Sequence, residues 1–155
     1  MAKILLVEDD VALRDVYSAR LQAEGYAIVT AANGEEALAM AVKEMPDLVL
    51  LDVMMPRISG FDVLDIIRST PETAAVKVIM MTALSSPEDH ARGEKLGVDR
   101  YLVKSQVTLE EVVGTIAEVL AHGGGNAPAG EPIVGGPGQP TSAPQPGVVP
   151  QAPPQ

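Results

Sequence analysis

The feature that most constrains this chain is a run of four apolar residues, 48–51, that ends abruptly on an acid, Asp52. The run lies between Pro46 and a loop that holds Pro56 and Gly60. It is too short for a helix, and no polar residue interrupts it, so it reads as a strand buried on both faces. A carboxylate at the last position of such a strand leaves the sheet at its C-terminal edge, where open α/β sheets bind their ligands. A lone Asp there could equally cap the next turn, so its role depends on the rest of the chain.

Residues 4–7 form a second short apolar run, and it too ends in acids, Glu8, Asp9 and Asp10. If the two strands are parallel neighbours, their carboxylates meet. From Val11 to Glu24 the apolar residues Leu13, Val16, Tyr17 and Leu21 follow helical spacing, and Gly25 stands where a helix ends. Residues 27–31 read as strand. Asn33 caps a helix with Glu36 at its third position, and that helix stops before Pro46. After the central strand, Phe61, Leu64 and Ile67 mark a helix over residues 60–69. Residues 76–81 form a strand that ends on Thr82 and Ala83. Ser86, Pro87, Glu88 and Asp89 open a helix that ends near Gly97. Residues 100–103 form a fifth strand, ending on Lys104. Thr108 and Glu111 form a capping box for a last helix carrying Leu109, Val112, Val113, Ile116, Val119 and Leu120.

Strict strand–helix alternation predicts an α/β fold: a (βα)5, flavodoxin-like, doubly wound parallel sheet in the order 2-1-3-4-5. Its switch point falls between strands one and three, the two that end in acids.

From Gly123 the composition changes to Gly, Pro, Ala, Gln and Val, with Glu131 as the one charged side chain. The chain is expected to divide into a folded domain, 1–122, and a disordered Pro/Gly-rich C-terminal tail, 123–155, which buries too little apolar surface to offset ordering. The balance of 21 acids to 11 bases, net charge −10, argues against a nucleic-acid partner. The chain has no cysteine and so neither disulfides nor thiolate metal sites. No run is long enough for a signal peptide or a membrane span, so no membrane association and a cytoplasmic location are expected. His90 and His122 are placed on helix surfaces or ends, away from the strand-end site, and given no catalytic part.

The sheet edge is expected to gather Glu8, Asp9, Asp52, Thr82 and Lys104. Three carboxylates in one crevice repel one another, and a hard divalent cation such as Mg²⁺, with oxygen ligands and retained waters, relieves that repulsion. A metal, an ammonium and a hydroxyl can each take one oxygen of a phosphoryl group. Asp52, the acid that looks least solvated, is then the candidate nucleophile. Taken singly, Glu8, Asp9 and Asp10 can be helix-capping acids, Thr82 a strand-end residue and Lys104 a solvated charge. Asp10 is assigned to the cap, Glu8 and Asp9 to metal binding.

With these residues in place, the chain resembles the receiver domain of two-component response regulators over about residues 2–121. The matching pieces are Ile-Leu-Leu-Val-Glu-Asp-Asp, Leu-Val-Leu-Leu-Asp-Val-Met-Met-Pro-Arg-Ile-Ser-Gly-Phe-Asp, Val-Ile-Met-Met-Thr-Ala and Gly-Val-Asp-Arg-Tyr-Leu-Val-Lys, in family order. The resemblance implies that Asp52 is the phosphoacceptor. It implies that Asp9, Asp52 and the backbone carbonyl of Met54 ligate Mg²⁺, with Glu8 acting through water. It makes Lys104 the partner of the phosphoryl group, Thr82 its hydrogen-bond donor and Tyr101 the aromatic rotamer switch. Small Ala83 leaves room for donor and water. The family usually has Lys-Pro, often cis, where this chain has Lys104-Ser105. A cis bond before a non-proline residue costs about 2.5–4 kcal/mol, so either Ser105 bears that strain or the loop is remodelled. Met54, a bulky apolar side chain over the site, is expected to shield the acyl phosphate.

The function implied is a phosphorylation-dependent switch in phosphorelay signal transduction, not an enzyme beyond its own phosphorylation and dephosphorylation. A sensor histidine kinase or phosphotransfer protein donates to Asp52, and the face of helix four, strand five and helix five changes its protein partner. The downstream target is not named by the sequence, and the state is a monomer or a phosphorylation-dependent dimer. With no second folded domain expected, output is by protein–protein contact. The alternatives are an unphosphorylated receiver-like interaction module working through its Pro-rich tail, and a phosphatase of the haloacid dehalogenase type. The latter wants a second Asp two residues after the nucleophile, where this chain has Met54.

Overall fold

The computed structural model describes residues 1–83 and 86–122; the expected tail, 123–155, lies outside the described residues. The elements run β1 (Lys3–Val7), α1 (Val11–Ala23), β2 (Ala27–Ala31), α2 (Gly34–Glu44), β3 (Leu48–Asp52), α3 (Gly60–Ser69), β4 (Lys77–Thr82), α4 (Pro87–Leu96), β5 (Arg100–Val103), a 3₁₀ turn over Lys104–Gln106, and α5 (Leu109–Ala121). The five strands form one sheet in the order β2-β1-β3-β4-β5, all parallel. This is the flavodoxin-like order that strand–helix alternation predicted.

Alternation along the strands sorts the core into two layers, because successive side chains point to opposite faces. Leu5, Val7, Val49, Leu51, Val78 and Met80 pack on one face with Ala37 and Ala41 of α2 and with Phe61, Val63, Leu64 and Ile67 of α3. Ile4, Leu6, Leu48, Leu50, Ile79 and Met81 pack on the other with Leu21 of α1 and Val112, Ile116 and Val119 of α5. Every residue of β3 is buried, as a central parallel strand covered on both faces requires. Residues Met1–Leu120 form one compact unit.

The helix starts follow the capping residues. Asp10 accepts from Leu13 N, Asn33 from Glu36 N, Ser59 from Asp62 N and Ser86 from Asp89 N. Thr108 and Glu111 bond reciprocally, each side chain to the other's backbone N–H, at 3.1 and 2.8 Å.

Two starts differ from expectation by one residue. The strand read over 76–81 begins at Lys77, because Val76 N still donates to Thr73 O in the preceding turn. Lys3 joins β1, paired with Ala27. After β5 the backbone has no cis peptide bond among the described residues. Lys104–Ser105–Gln106 instead turn as a 3₁₀ segment, the remodelled loop of the two alternatives.

α4 stands apart in composition. Gly93 is its one buried residue, whereas α3 buries five: Gly60, Phe61, Val63, Leu64 and Ile67. No described helix is long and apolar enough to cross a membrane.

Candidate functional site

Register places the acids. Val7 of β1 pairs with Leu51 of β3, so the next residues, Glu8 and Asp52, emerge side by side at the C-terminal edge. Asp52 pairs with Met81 of β4, and Thr82 pairs with Val103 of β5. Thr82 and Lys104 therefore leave the same edge on the next two strands. Glu8, Asp52 and Thr82 are all buried, at 3, 5 and 1% exposure. Asp9 is exposed. Asp52 was expected to be the least solvated acid, but Glu8 is buried at least as deeply.

Lys104 bridges the two buried acids. Its ammonium donates to Glu8 Oε2 at 2.9 Å and lies 3.5 Å from Asp52 Oδ2. Glu8 Oε1 accepts from Asp10 N at 3.2 Å, and Arg14 ties the Glu8 carbonyl to α1 at 2.9 Å. The other Asp52 oxygen, Oδ1, accepts from Met54 N at 3.2 Å. The Met54 side chain itself is 57% exposed.

Burial, followed by the Glu8 charge, pushes the Asp52 carboxyl from 3.8 up to about 6, against the opposing pull of Lys104 and the Met54 N–H; Asp9 adds a smaller upward push. Burial works to lower the Lys104 ammonium, but the bond to Glu8 and the charges of Asp52 and Glu8 outweigh it and raise its pKa. Oxygens of Glu8, Asp9 and Asp52 all lie within 4.8 Å of one another. Three carboxylates against the Lys104 ammonium and the Arg14 guanidinium leave the pocket short of positive charge. An all-oxygen donor set with that deficit suits a hard divalent cation.

The loop after β3 is held to the acid by Gly60. A Cβ at Gly60 would stand 2.4 Å from the Asp52 carbonyl oxygen, and Gly60 N donates to Val53 O at 2.9 Å. Only glycine permits that approach.

Tyr101, next but one before Val103 on β5, lies at the side of the site. Its hydroxyl oxygen is buried. Burial first, then the Asp89 charge, raises the pKa of this phenol, and neighbouring Thr82 lowers it. The ring stacks on Phe61 at 6.4 Å and meets the His90 ring at 4.2 Å, tilted by 50°.

His90, assigned to a helix surface from its sequence position, is thus half-buried against the aromatic of β5. Tyr17 is a second residue the sequence undersold. It is partly buried against the core, yet its phenol feels Lys104, Glu8 and Asp52, although burial is the main reason its pKa is raised. Nothing in helical spacing marks either contact: one joins α4 to the next strand, β5, and the other joins α1 to strand ends much later in the chain. His122 follows α5 and is not among the grouped acids.

The fold and the sequence have known relatives. The response regulator receiver domain family matches residues 4–117. The "Probable transcriptional regulator ycf27" of Guillardia theta is 44% identical over 102 residues, covering 66% of this chain and 39% of that protein. The "DNA-binding dual master transcriptional regulator RpaA" of Synechocystis sp. is 37% identical over 120 residues, covering 77% of this chain and 49% of that one. This chain spans less than half the length of either relative. The chemotaxis protein CheY4 of Vibrio cholerae superposes with a TM-score of 0.72 at 36% identity, covering 77% of this chain and 98% of that one. With its sheet order, its acid-edged strands and a family match over most of the folded chain, the protein belongs to the response regulator receiver domains of two-component systems, signalling switches rather than classical enzymes.

Proposed function

We propose that this chain is switched by transfer of a phosphoryl group from a phosphohistidine of a sensor kinase or phosphotransfer protein to Asp52. The observation that carries the reading is the buried Asp52 carboxylate, set between Lys104 and two further acids whose oxygens lie within 4.8 Å. In the transfer an Asp52 carboxylate oxygen forms the new P–O bond, the N–P bond of the donor breaks, and the imidazole leaves with the nitrogen electron pair and takes up a proton.

Asp9 and Asp52, with the Met54 carbonyl, would hold Mg²⁺, and Glu8 would act through water. That ion supplies charge neutralisation and orientation for the phosphoryl oxygens. The residues of the chain do the rest. The Met54 N–H fixes one Asp52 oxygen, which orients the carboxylate before attack. Lys104, now shared between Glu8 and Asp52, has a short path to a phosphoryl oxygen. Thr82 is placed at the same edge to donate to another.

Tyr101 is the switch aromatic of this reading. The structure has its hydroxyl buried, which is the inward one of the two positions such a switch needs. Phosphorylation would shift the population toward that position and alter the face of α4, β5 and α5.

Two relatives are named as transcriptional regulators, one of them as DNA-binding. This chain carries a net charge of −10, which opposes phosphate contacts. We therefore assign its own output to protein partners, as a monomer or a phosphorylation-dependent dimer.

The test is intact mass after incubation with acetyl phosphate, with and without Mg²⁺, for the native chain and Asp52→Asn. The expected result is a single phosphoryl adduct that needs both Mg²⁺ and Asp52. An equal adduct on Asp52→Asn would remove Asp52 from the role.

A further inference from the structure

α4 buries one residue, Gly93, so little apolar surface holds it to the sheet. Leu96 packs on the core at its C-terminal end, and Tyr101 of β5 meets it nearer the middle. A Cβ at Gly93 would lie 3.1 Å from the Tyr101 ring, so helix and ring are in close contact there. One turn earlier the His90 ring meets Tyr101 at 4.2 Å between centroids. Behind Tyr101 stands Phe61 of α3, itself covered by the Arg92 guanidinium at 4.6 Å. His90 is thus the α4 residue whose ring meets the tyrosine ring.

We propose that His90 is a positioning residue for Tyr101: it holds the tyrosine inward, and it holds it more firmly when protonated. Imidazole is the one side chain whose ordinary titration falls between pH 5 and 8. A cation within about 6 Å of an aromatic centroid is attracted to the ring face, by about 0.5–1 kcal/mol at a partly exposed site.

The charged groups at the stack are Asp89 and Arg92 on α4 and Asp62 on α3, while Arg100 of β5 faces the other side of the sheet. Arg92 lies 3.9 Å from Asp62, and Arg100 is bonded to Glu118 of α5 at 3.0 Å. Those charges, and the N-terminal dipole of α4, act on His90 whether Tyr101 points inward or outward. The contact that changes between the two positions is the tyrosine ring itself. The sign follows from that contact alone: a proton on His90 favours the inward state. At lower pH the chain then rests nearer the state that phosphorylation would select. This inference rests on the reading of Tyr101 as the switch aromatic and is independent of Asp52 as phosphoacceptor.

The test is ¹⁹F NMR of the full chain labelled with fluorotyrosine, unphosphorylated, between pH 8 and 5, with Tyr101→Phe assigning the resonance. The inward-to-outward ratio should rise about two- to fivefold on acidification, the fold-change that the cation–ring attraction gives. His90→Gln should abolish the response. His90→Phe should keep Tyr101 inward at every pH, and its amide spectrum reports whether the fold is intact. His122→Gln should leave the response unchanged. A Tyr101 signal that ignores pH in the native chain, or that responds equally in His90→Gln or His90→Phe, would overturn the proposal. Repeating the series on Asp52→Asn separates it from the phosphoacceptor reading, because the response should survive there.

Discussion

Lys104 and Glu8, 96 residues apart in sequence, are joined by a 2.9 Å ion pair that is shorter than the 3.5 Å approach of Lys104 to Asp52. The lysine is thus parked on the neighbour of the proposed acceptor, and one ammonium serves two buried acids. Lys104→Met would leave both acids without it. Since the Lys104 side chain is 19% exposed, water softens the loss, and we expect about 1–3 kcal/mol of destabilisation at pH 8. The loss should be smaller at pH 5, where Asp52 carries a proton for much of the time. Urea unfolding at both values checks this, and an equal loss at the two would contradict the counter-ion role.

Asp52 itself works against stability. Its carboxyl sits at about 6 in the folded chain against 3.8 as the ordinary value. Between those values the folded protein keeps a proton that the unfolded chain releases, so stability falls as pH rises from about 4 to 6 and stays lower above that. Asp52→Asn should therefore stabilise the protein at pH 8, by about 1–2 kcal/mol once the weaker attraction of a neutral amide to Lys104 is allowed for. The gain should vanish near pH 4. Thermal melts across that range decide the matter. By the same titration, phosphorylation from acetyl phosphate should speed up as pH rises through about 6, because the attacking group is the carboxylate.

Gly60→Ala should be costly although it adds a single methyl group. The new Cβ would have to displace the Asp52 carbonyl from 2.4 Å, and backbone gives way less readily than a side chain. We expect a loss of about 3 kcal/mol together with slower phosphorylation, measured by urea unfolding and by the mass assay. Normal stability with normal phosphorylation would mean that this close approach is dispensable.

Met54 separates backbone from side chain. Its N–H orients Asp52, whereas its side chain is 57% exposed. Met54→Asn and Met54→Lys should leave stability within about 0.5 kcal/mol but accelerate loss of the phosphoryl group by admitting water. Dephosphorylation followed by intact mass gives the rate. An unchanged rate in both variants would end the shielding idea.

Most of the fold was legible because its signals are local. Apolar runs mark β1 and β3, Asn33, Ser86 and Thr108 mark helix starts, and Gly25 and Gly97 mark helix ends at positive φ. Sheet order followed from alternation and handedness, and with it the gathering of Glu8, Asp52, Thr82 and Lys104 at one edge. What stayed hidden depends on pairings across the fold. No local pattern says that Lys104 prefers Glu8 to Asp52, since that is settled by the reach of a flexible side chain between two acids. His90 looked like a solvated helix residue because helical periodicity reports which face is apolar, and α4 has hardly any apolar face to report. Its contact with Tyr101 exists only once β5 lies beside the helix. The turn after Lys104 stays open between two alternatives in the sequence because Ser105 prescribes no backbone geometry as proline does.

The sparse burial of α4 carries a consequence for how such a chain can diversify. A helix that commits one glycine to the interior leaves its exposed positions free to vary at small cost in folding. The sheet edge proposed to receive the signal and the helix proposed to display it are then under separate constraints. In the proposed reading, substitutions at the exposed Glu88, Glu94 or Lys95 would change which partner is recognised while the acids, the lysine and the close-packed strands remain as they are. In this architecture the address can drift while the receiver stays the same.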